Sequence, residues 1–426
     1  MRSGHPQAKA PGRPEGGMRI VYVTHELPFG DGEAFVIAEV QALLRAGHEV
    51  LVVPRRSHEP VIHDDVEDLL ARARPMPNRL AVAVAAAGAI AREPRRAGRA
   101  LWAVRVTRPR YRSILNAVAT GEGMWLARVA RAWRADHIHA HWAHWTATMA
   151  MGASAMTGIP WSFTAHRYDI VINNLLDLKL RSARFGRFIA RYMLDMGRGL
   201  VGPEAAARAI LLYMGVRIPP KVASRPPRAA PVIVCPGRLV PMKAQRYLVD
   251  AAAMLAARGV AFELWLAGDG PDAAALAGQV HALGLERSVR MLGVVPHAAL
   301  LGLYRDGSVD CVALPSRDLG GGVHEGLSVA LIEAMAYGIP AVSTPTGGQA
   351  ELLDGAGRLV PPGDAAALAD TLGALLASPG ERERIGMMGR HRIEERFDVD
   401  VIAAELVRLF AGGRVGHLSA MAVGGH

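Results

Sequence analysis

The chain has 426 residues, 51% hydrophobic and 5% aromatic, with a formal net charge of +10. That length allows two or three domains with sizeable cores, and two cysteines, Cys235 and Cys311, argue against a disulfide framework or a cysteine-built zinc site. The longest apolar run, 80–91, is too short and too alanine-rich to cross a bilayer.

Residues 1–17 are rich in Pro, Gly and basic residues without an apolar stretch like that of a signal peptide, so a disordered extension is expected there. A reducing, cytoplasmic setting is the default. A strand is expected at 18–23, then the loop THELPFGDGEAF, a helix over about 33–46 and a second strand at 50–53. Open α/β sheets bind ligands outside the carboxyl ends of their strands. Gly30, Asp31, Gly32 and Glu33 stand at such an end, although the spacing is not that of a dinucleotide-binding GxGxxG. A plain strand-to-helix turn is the competing reading.

Residues 64–135 read as helical and basic. Between Arg72 and Arg134 the arginines meet only two acids, Glu93 and Glu122. Such a face suits anionic lipid headgroups or phosphorylated substrates, or is simply solvated. Trp102, Val104 and Val106 are candidates for shallow insertion beside those charges, at the inner face of a membrane. No nucleic-acid motif or stacking platform is present, so nucleic acid is not expected as a partner.

Residues 137–142 (HIHAHW) form an expected strand with His137, His139 and His141 on one face. Three alternate strand positions are spread too widely along a line to chelate one ion unaided, so no metal site is expected; packed histidines and polar cleft contacts both stay open. A strand at 161–164 brings His166 to its carboxyl end. Helices over 175–208, a strand at 210–213 and the proline-rich stretch 219–231 close the first half, and that stretch is the best domain boundary.

The second half restarts the strand–helix alternation at 232–235. Gly237, Arg238 and Lys243 follow that strand, and an Arg fork beside a Lys point charge is what a diphosphate needs. Further strands are expected at 262–266, 289–292, 310–314 and 341–344. The stretch HEGLSVALIEAMAYGIP (324–340) predicts a helix over about 328–337, with Ser328 as N-cap and Gly338 as stop. That helix is apolar nearly all round and therefore buried, yet it carries Glu333. A carboxylate there is either ion-paired structurally or held to accept protons from a ligand's hydroxyls. Asp398-x-Asp400 precedes a helix expected from about 401, and reads as a helix cap rather than a metal motif.

Three segments together carry a family resemblance: FTAHRYDI (163–170), GRLVPMK (237–243), and Glu325-x7-Glu333 followed by TPTGG (344–348). They resemble the large retaining glycosyltransferase family often called GT4, whose bacterial members include exopolysaccharide and colanic-acid-type enzymes. The resemblance implies an α/β GT-B fold of two Rossmann-like domains facing a cleft. It places an acceptor-binding domain at 18–217, a linker at 218–231 and a nucleotide-sugar-binding domain at 232–393. A helix at 394–412 would cross back to the first domain, ahead of a disordered tail at 413–426.

It further implies a nucleotide diphosphate sugar as donor, a glycan, lipid-linked or small-molecule hydroxyl as acceptor, and no metal or other cofactor. His166, Arg238, Lys243 and Glu325 would be catalytic. Gly237, Gly293, Val294, Gly326, Leu327, Ser328 and Glu333 would complete the donor site, with Gly293 and Val294 against the base. Gly30, Gly32, Glu33, Gly347 and Gly348 would serve the acceptor. Arg217 stands where the family commonly has Asp, so no role is carried to it. Two other readings stay open: a nucleotide-sugar epimerase on the same fold, and a non-catalytic member that binds nucleotide or membrane.

Overall fold

The structure, a computed structural model, describes residues 16–414 except 31, 64, 106, 108, 223, 226 and 227. Asp31, Val106 and nearly all of the expected terminal extensions therefore lie outside the described residues. Runs such as RIVYVT and VIVCP are apolar on both faces, which suits strands covered by helices on both sides. Twelve such strands form two parallel six-stranded sheets.

The first sheet holds β1 (Arg19–Thr24), β2 (Glu49–Pro54), β3 (His137–His141), β4 (Trp161–Ala165), β5 (Gly186–Phe188) and β6 (Ala209–Leu211), in the order β2-β1-β3-β4-β5-β6. The second holds β7 (Val232–Pro236), β8 (Glu263–Ala267), β9 (Val289–Gly293), β10 (Cys311–Leu314), β11 (Ala341–Ser343) and β12 (Arg358–Leu359), in the order β12-β11-β10-β7-β8-β9. Chain order reverses between β1 and β3 in one sheet and between β7 and β10 in the other. Clefts open outside the carboxyl ends of strands at such reversals, so the loops after these four strands are where a ligand site belongs.

Three expectations need correction. The span 175–208 is not all helical, because β5 lies within it. A three-residue strand is too short to show alternation, and its centre is the fully buried Arg187. Ser328 does sit at the N-cap of helix Val329–Ala336, but its side chain makes no capping hydrogen bond. Val104 is fully buried and cannot insert into a membrane, whereas Trp102 is exposed with the Arg105 guanidinium over its ring. No helix among the described residues is long and apolar enough to cross a bilayer.

Arg225 and Arg228 donate to the carbonyls of Val309, Tyr337, Ser308 and Gly307, so the proline-rich stretch is clipped to the second sheet's domain. The last helix, Val399–Phe410, returns to the first domain: Asp400 pairs with Arg45 at 2.6 Å, and Phe410 stacks on His137 with ring centroids 4.4 Å apart. Asp398 caps this helix, accepting from the Asp400 amide at 2.9 Å, as its sequence position suggested.

Candidate functional site

At the second reversal the loops after β7 and β8 are zipped together. Gly237 donates to the Ala267 carbonyl and Leu239 to that of Asp269, both at 2.9 Å. A Cβ at Gly268 would overlap the Gly237 carbonyl oxygen, so only glycine permits this approach. The zipper fixes the segment from which Arg238 and Lys243 project. The Lys243 ammonium reaches across the reversal to the Glu325 carboxylate in the loop after β10, and Ser316 Oγ lies 3.5 Å from the same carboxylate oxygen. Arg238 is exposed and makes no ion pair with any described residue. The structure thus brings together Gly237, Arg238, Lys243 and Glu325, four residues singled out from the sequence.

Glu325 is held from behind. Gly347, at φ +62°, lies so close that a Cβ there would overlap the Glu325 carbonyl oxygen, and the Gly348 amide donates to Gly326 at 2.8 Å. These two glycines, assigned by resemblance to the acceptor, are packed against the Glu325–Gly326 peptide in the second domain. Beyond them, the amides of Gly326, Leu327 and Ser328 donate to no carbonyl among the described residues, ahead of helix Val329–Ala336. Unsatisfied amides at a helix start attract anions. Glu333, within that helix, is bonded to His297 at 2.7 Å, and this hydrogen bond raises the His297 pKa. His297 starts the helix just after Gly293 and Val294; Val294 is 77% exposed. Both readings of Glu333 meet here: it is held by a side-chain partner, and it borders an open loop.

The first domain's site is built differently. His137, His139 and His141 do share one face, and all three are fully buried. They form a ladder with β4: His137 and His139 each contact Ser162 Oγ at 2.8 Å, and His139 also contacts Thr164 Oγ1 at 3.0 Å. The top rung is His141 Nε2 to His166 Nε2, at 2.7 Å. Burial pushes all four imidazoles well below their usual range, so they are neutral. Tyr22 sets the protons of His141 and His166. Its hydroxyl donates to Glu39 at 2.6 Å, so toward His141 Nδ1, 3.1 Å away, it can only accept. His141 therefore carries its proton on Nδ1, and His166 must donate from Nε2, leaving Nδ1 as its lone pair. The chain ends where Arg187 grips Glu39 at 2.5 Å while also donating to the Leu212 and Tyr213 carbonyls.

Glu33 lies under the first loop rather than facing the cleft. Its carboxylate accepts from the amides of His25, Glu26 and Leu27 at 2.7–3.0 Å and from Trp142 Nε1 at 2.7 Å. Burial raises its pKa against those four donors. Gly30 donates to the Pro60 carbonyl, and Gly32 to the Glu26 carboxylate. Buried Lys179, its pKa lowered by burial to about 7, donates to the carbonyls of Ala143, His144 and Asn174, each at 2.7 Å, and so fixes the turn before helix Trp145–Thr157. Sequence reasoning missed Tyr22, Glu39, Lys179 and Arg187. Glu39 had a signal, a lone carboxylate on the apolar face of AFVIAEVQALLR.

Glu39, His139 and His141 bring ligand atoms within 4.8 Å of one another, close enough to be considered for a metal. Their atoms are already bonded to Tyr22, Arg187, Ser162, Thr164 and His166, and the Arg187 cation occupies one side of the carboxylate. The two domains meet beside the site: Tyr192 donates to the Glu325 carbonyl at 3.4 Å, and the Arg191 amide to Glu351 at 3.0 Å.

Two parallel sheets with facing switch-point loops and a helix returning to the first define the GT-B fold. The solved structure of Anabaena HepE in complex with UDP shares it, with a TM-score of 0.67 at 18% identity over 92% of this chain and 100% of that one. Residues 221–392 match the family described as glycosyl transferases group 1. A GDP-mannose-dependent α-(1-6)-phosphatidylinositol monomannoside mannosyltransferase of Mycolicibacterium smegmatis is 34% identical over 43% of this chain and 48% of its own length. A putative colanic acid biosynthesis glycosyltransferase of Escherichia coli is 36% identical over 46% and 49%. The chain thus spans about half the length of these curated relatives.

Proposed function

We propose that this protein transfers a sugar from a nucleoside diphosphate sugar to a hydroxyl acceptor, with retention of anomeric configuration, in exopolysaccharide or glycolipid assembly. The observation that carries this reading is the Lys243–Glu325 pair across the second reversal, with Arg238 exposed beside it. A diphosphate entering there would meet an uncommitted guanidinium, an ammonium whose partner can turn to a sugar hydroxyl, and unpaired amides. Relatives named for GDP-mannose and a GT-B structure solved with UDP support such a donor.

In this reading the bond from the anomeric carbon to the leaving diphosphate breaks while Arg238 and Lys243 neutralise the charge that develops, a task metals perform elsewhere. The expectation that no metal is needed rests on those two cations. Glu333 exchanges His297 for the ribose hydroxyls, and Glu325 with the amides after it holds the donor sugar. His166, its proton held on Nε2, orients the sugar from across the cleft. No carboxylate is assigned as nucleophile, so the acceptor oxygen arrives on the face the diphosphate leaves and gives up its proton to the departing diphosphate oxygen.

Ligand-detected NMR with a panel of nucleotides and nucleotide sugars, on wild type and Glu333→Ala, tests this. One nucleotide class should bind and weaken in the variant. Binding of none would remove the donor site. Turnover that needs no added acceptor would replace transfer with epimerisation.

A further inference from the structure

The first domain contains a cavity of about 1050 Å³ outside the polar ladder. His25, His144 and Tyr168, from the segments that follow β1, β3 and β4, line one part of it. This is the edge that carries His166: Trp142 stacks on His144 with centroids 6.0 Å apart and contacts His166 at 4.4 Å. Its outer walls are the helices Arg79–Arg92 and Tyr111–Trp133.

Those walls leave apolar surface uncovered. Tyr111, Ile114, Leu115 and Val118 follow the i, i+3, i+4, i+7 spacing of one helix face, and all four are exposed. On the neighbouring helix Val82, Ala83 and Ala86 line the cavity, and Ala83 is exposed. An apolar stripe of this kind normally faces a core, and contiguous exposed apolar surface marks a binding site.

The charges around the cavity are predominantly positive. Arg55, Arg56, Arg79 and Arg112 line it, and the single acid in the lining, Glu122, is taken by Arg55 through two hydrogen bonds of 2.7 and 3.0 Å. Arg112 donates to the Ile172 carbonyl. Arg56 and Arg79 are exposed and form no ion pair with a described residue. An apolar trough beside uncommitted guanidinium groups is complementary to a molecule with an aliphatic chain and a phosphate.

We propose that this cavity is the acceptor site and that the acceptor is an anionic amphiphile. Its phosphate or diphosphate sits on Arg56 and Arg79, its chain lies along the uncovered faces of the two helices, and its hydroxyl-bearing end passes His144 toward His166. The proposal rests on reading the first domain as the acceptor side, and it names the acceptor's chemical class.

The test is binding of dodecyl phosphate, below its micelle concentration, to the full chain. Inorganic phosphate and octyl glucoside serve as the headgroup-only and charge-free comparisons. Wild type should bind dodecyl phosphate at least roughly ten-fold tighter than either, about 1.4 kcal/mol, because only it presents both the anion and the chain. The double variant Arg56→Gln/Arg79→Gln and, separately, Val118→Glu should each lose about ten-fold. Nucleotide binding should be unchanged in both, which also shows that they fold. Dodecyl phosphate binding that ignores both variants, or inorganic phosphate binding equally well, would overturn the proposal. If no nucleotide binds but dodecyl phosphate binding still depends on these side chains, the cavity stands and the transfer reaction falls.

Discussion

The two switch-point sites differ in how far their polar groups are committed. In the first domain the ladder and the loops that hold it spend their polar groups on the protein itself: Glu33 on four donors, Lys179 on three carbonyls, His166 on His141, and Glu39 on Tyr22 and Arg187. In the second, Arg238 is unpaired, Lys243 and Glu325 hold only exchangeable partners, and Glu333 is bonded to a half-exposed histidine. A committed network gives rigidity and fixed protons, because a buried polar group without its partner is costly. An uncommitted set gives affinity for charge that arrives from outside. The first site is built as a frame, and in the proposed function the second serves as a receptor.

The sharpest way to break this contrast is to disturb the frame. Arg187→Met leaves the Glu39 carboxylate buried without its cation, and should cost about 3–5 kcal/mol in urea unfolding. Restoring neutrality in Glu39→Gln/Arg187→Met should recover part of that; no loss in the single variant would mean the frame is not stressed. Arg238→Ala should do the opposite, leaving stability unchanged while lowering kcat by about 10²–10³. Near-normal turnover would take Arg238 out of the reaction.

Smaller effects sharpen the picture. Glu33→Gln keeps the shape but exchanges one acceptor for donors that face amides, and should cost about 1–3 kcal/mol of stability. A changed acceptor KM without any stability loss would instead place Glu33 in the cleft. The mildest test is an NMR titration of His297. Its pKa is raised by Glu333, so the pair stabilises the fold below the unfolded histidine pKa, and that contribution is lost as pH rises through the folded value. In Glu333→Gln the His297 pKa should fall back; an unmoved titration would mean the pair does not form in solution.

The receptor was legible in the sequence and much of the frame was not. Arg238, Lys243, Glu325 and Glu333 stand out because charges at strand ends and in an apolar helix break the local pattern. The strand positions of His137, His139 and His141 followed from period two, but whether they packed or faced a ligand depended on Ser162 and Thr164, more than twenty residues away. Arg187 and Glu39 are 148 positions apart and both buried, where composition rules place no charge. Arg187 also hid β5, since a strand of three residues centred on arginine has neither the length nor the polarity by which strands are recognised. Val104 was misjudged for the converse reason: a lone valine in a basic segment says nothing about which way its turn faces.

The chain crosses between the domains twice, and the two crossings touch. The Val216 amide donates to the Phe397 carbonyl at 2.8 Å, and the Val399 amide returns a bond to Val216 at 3.1 Å. With Arg225 and Arg228 fastening the stretch after the first crossing to the second domain, and Val399–Phe410 fastened to the first, little slack is left on either side. The Val216–Val399 seam is thus a second tie between the halves, away from the Tyr192–Glu325 and Arg191–Glu351 bonds beside the cleft, and any change in the width of the mouth has to be absorbed at one tie or the other.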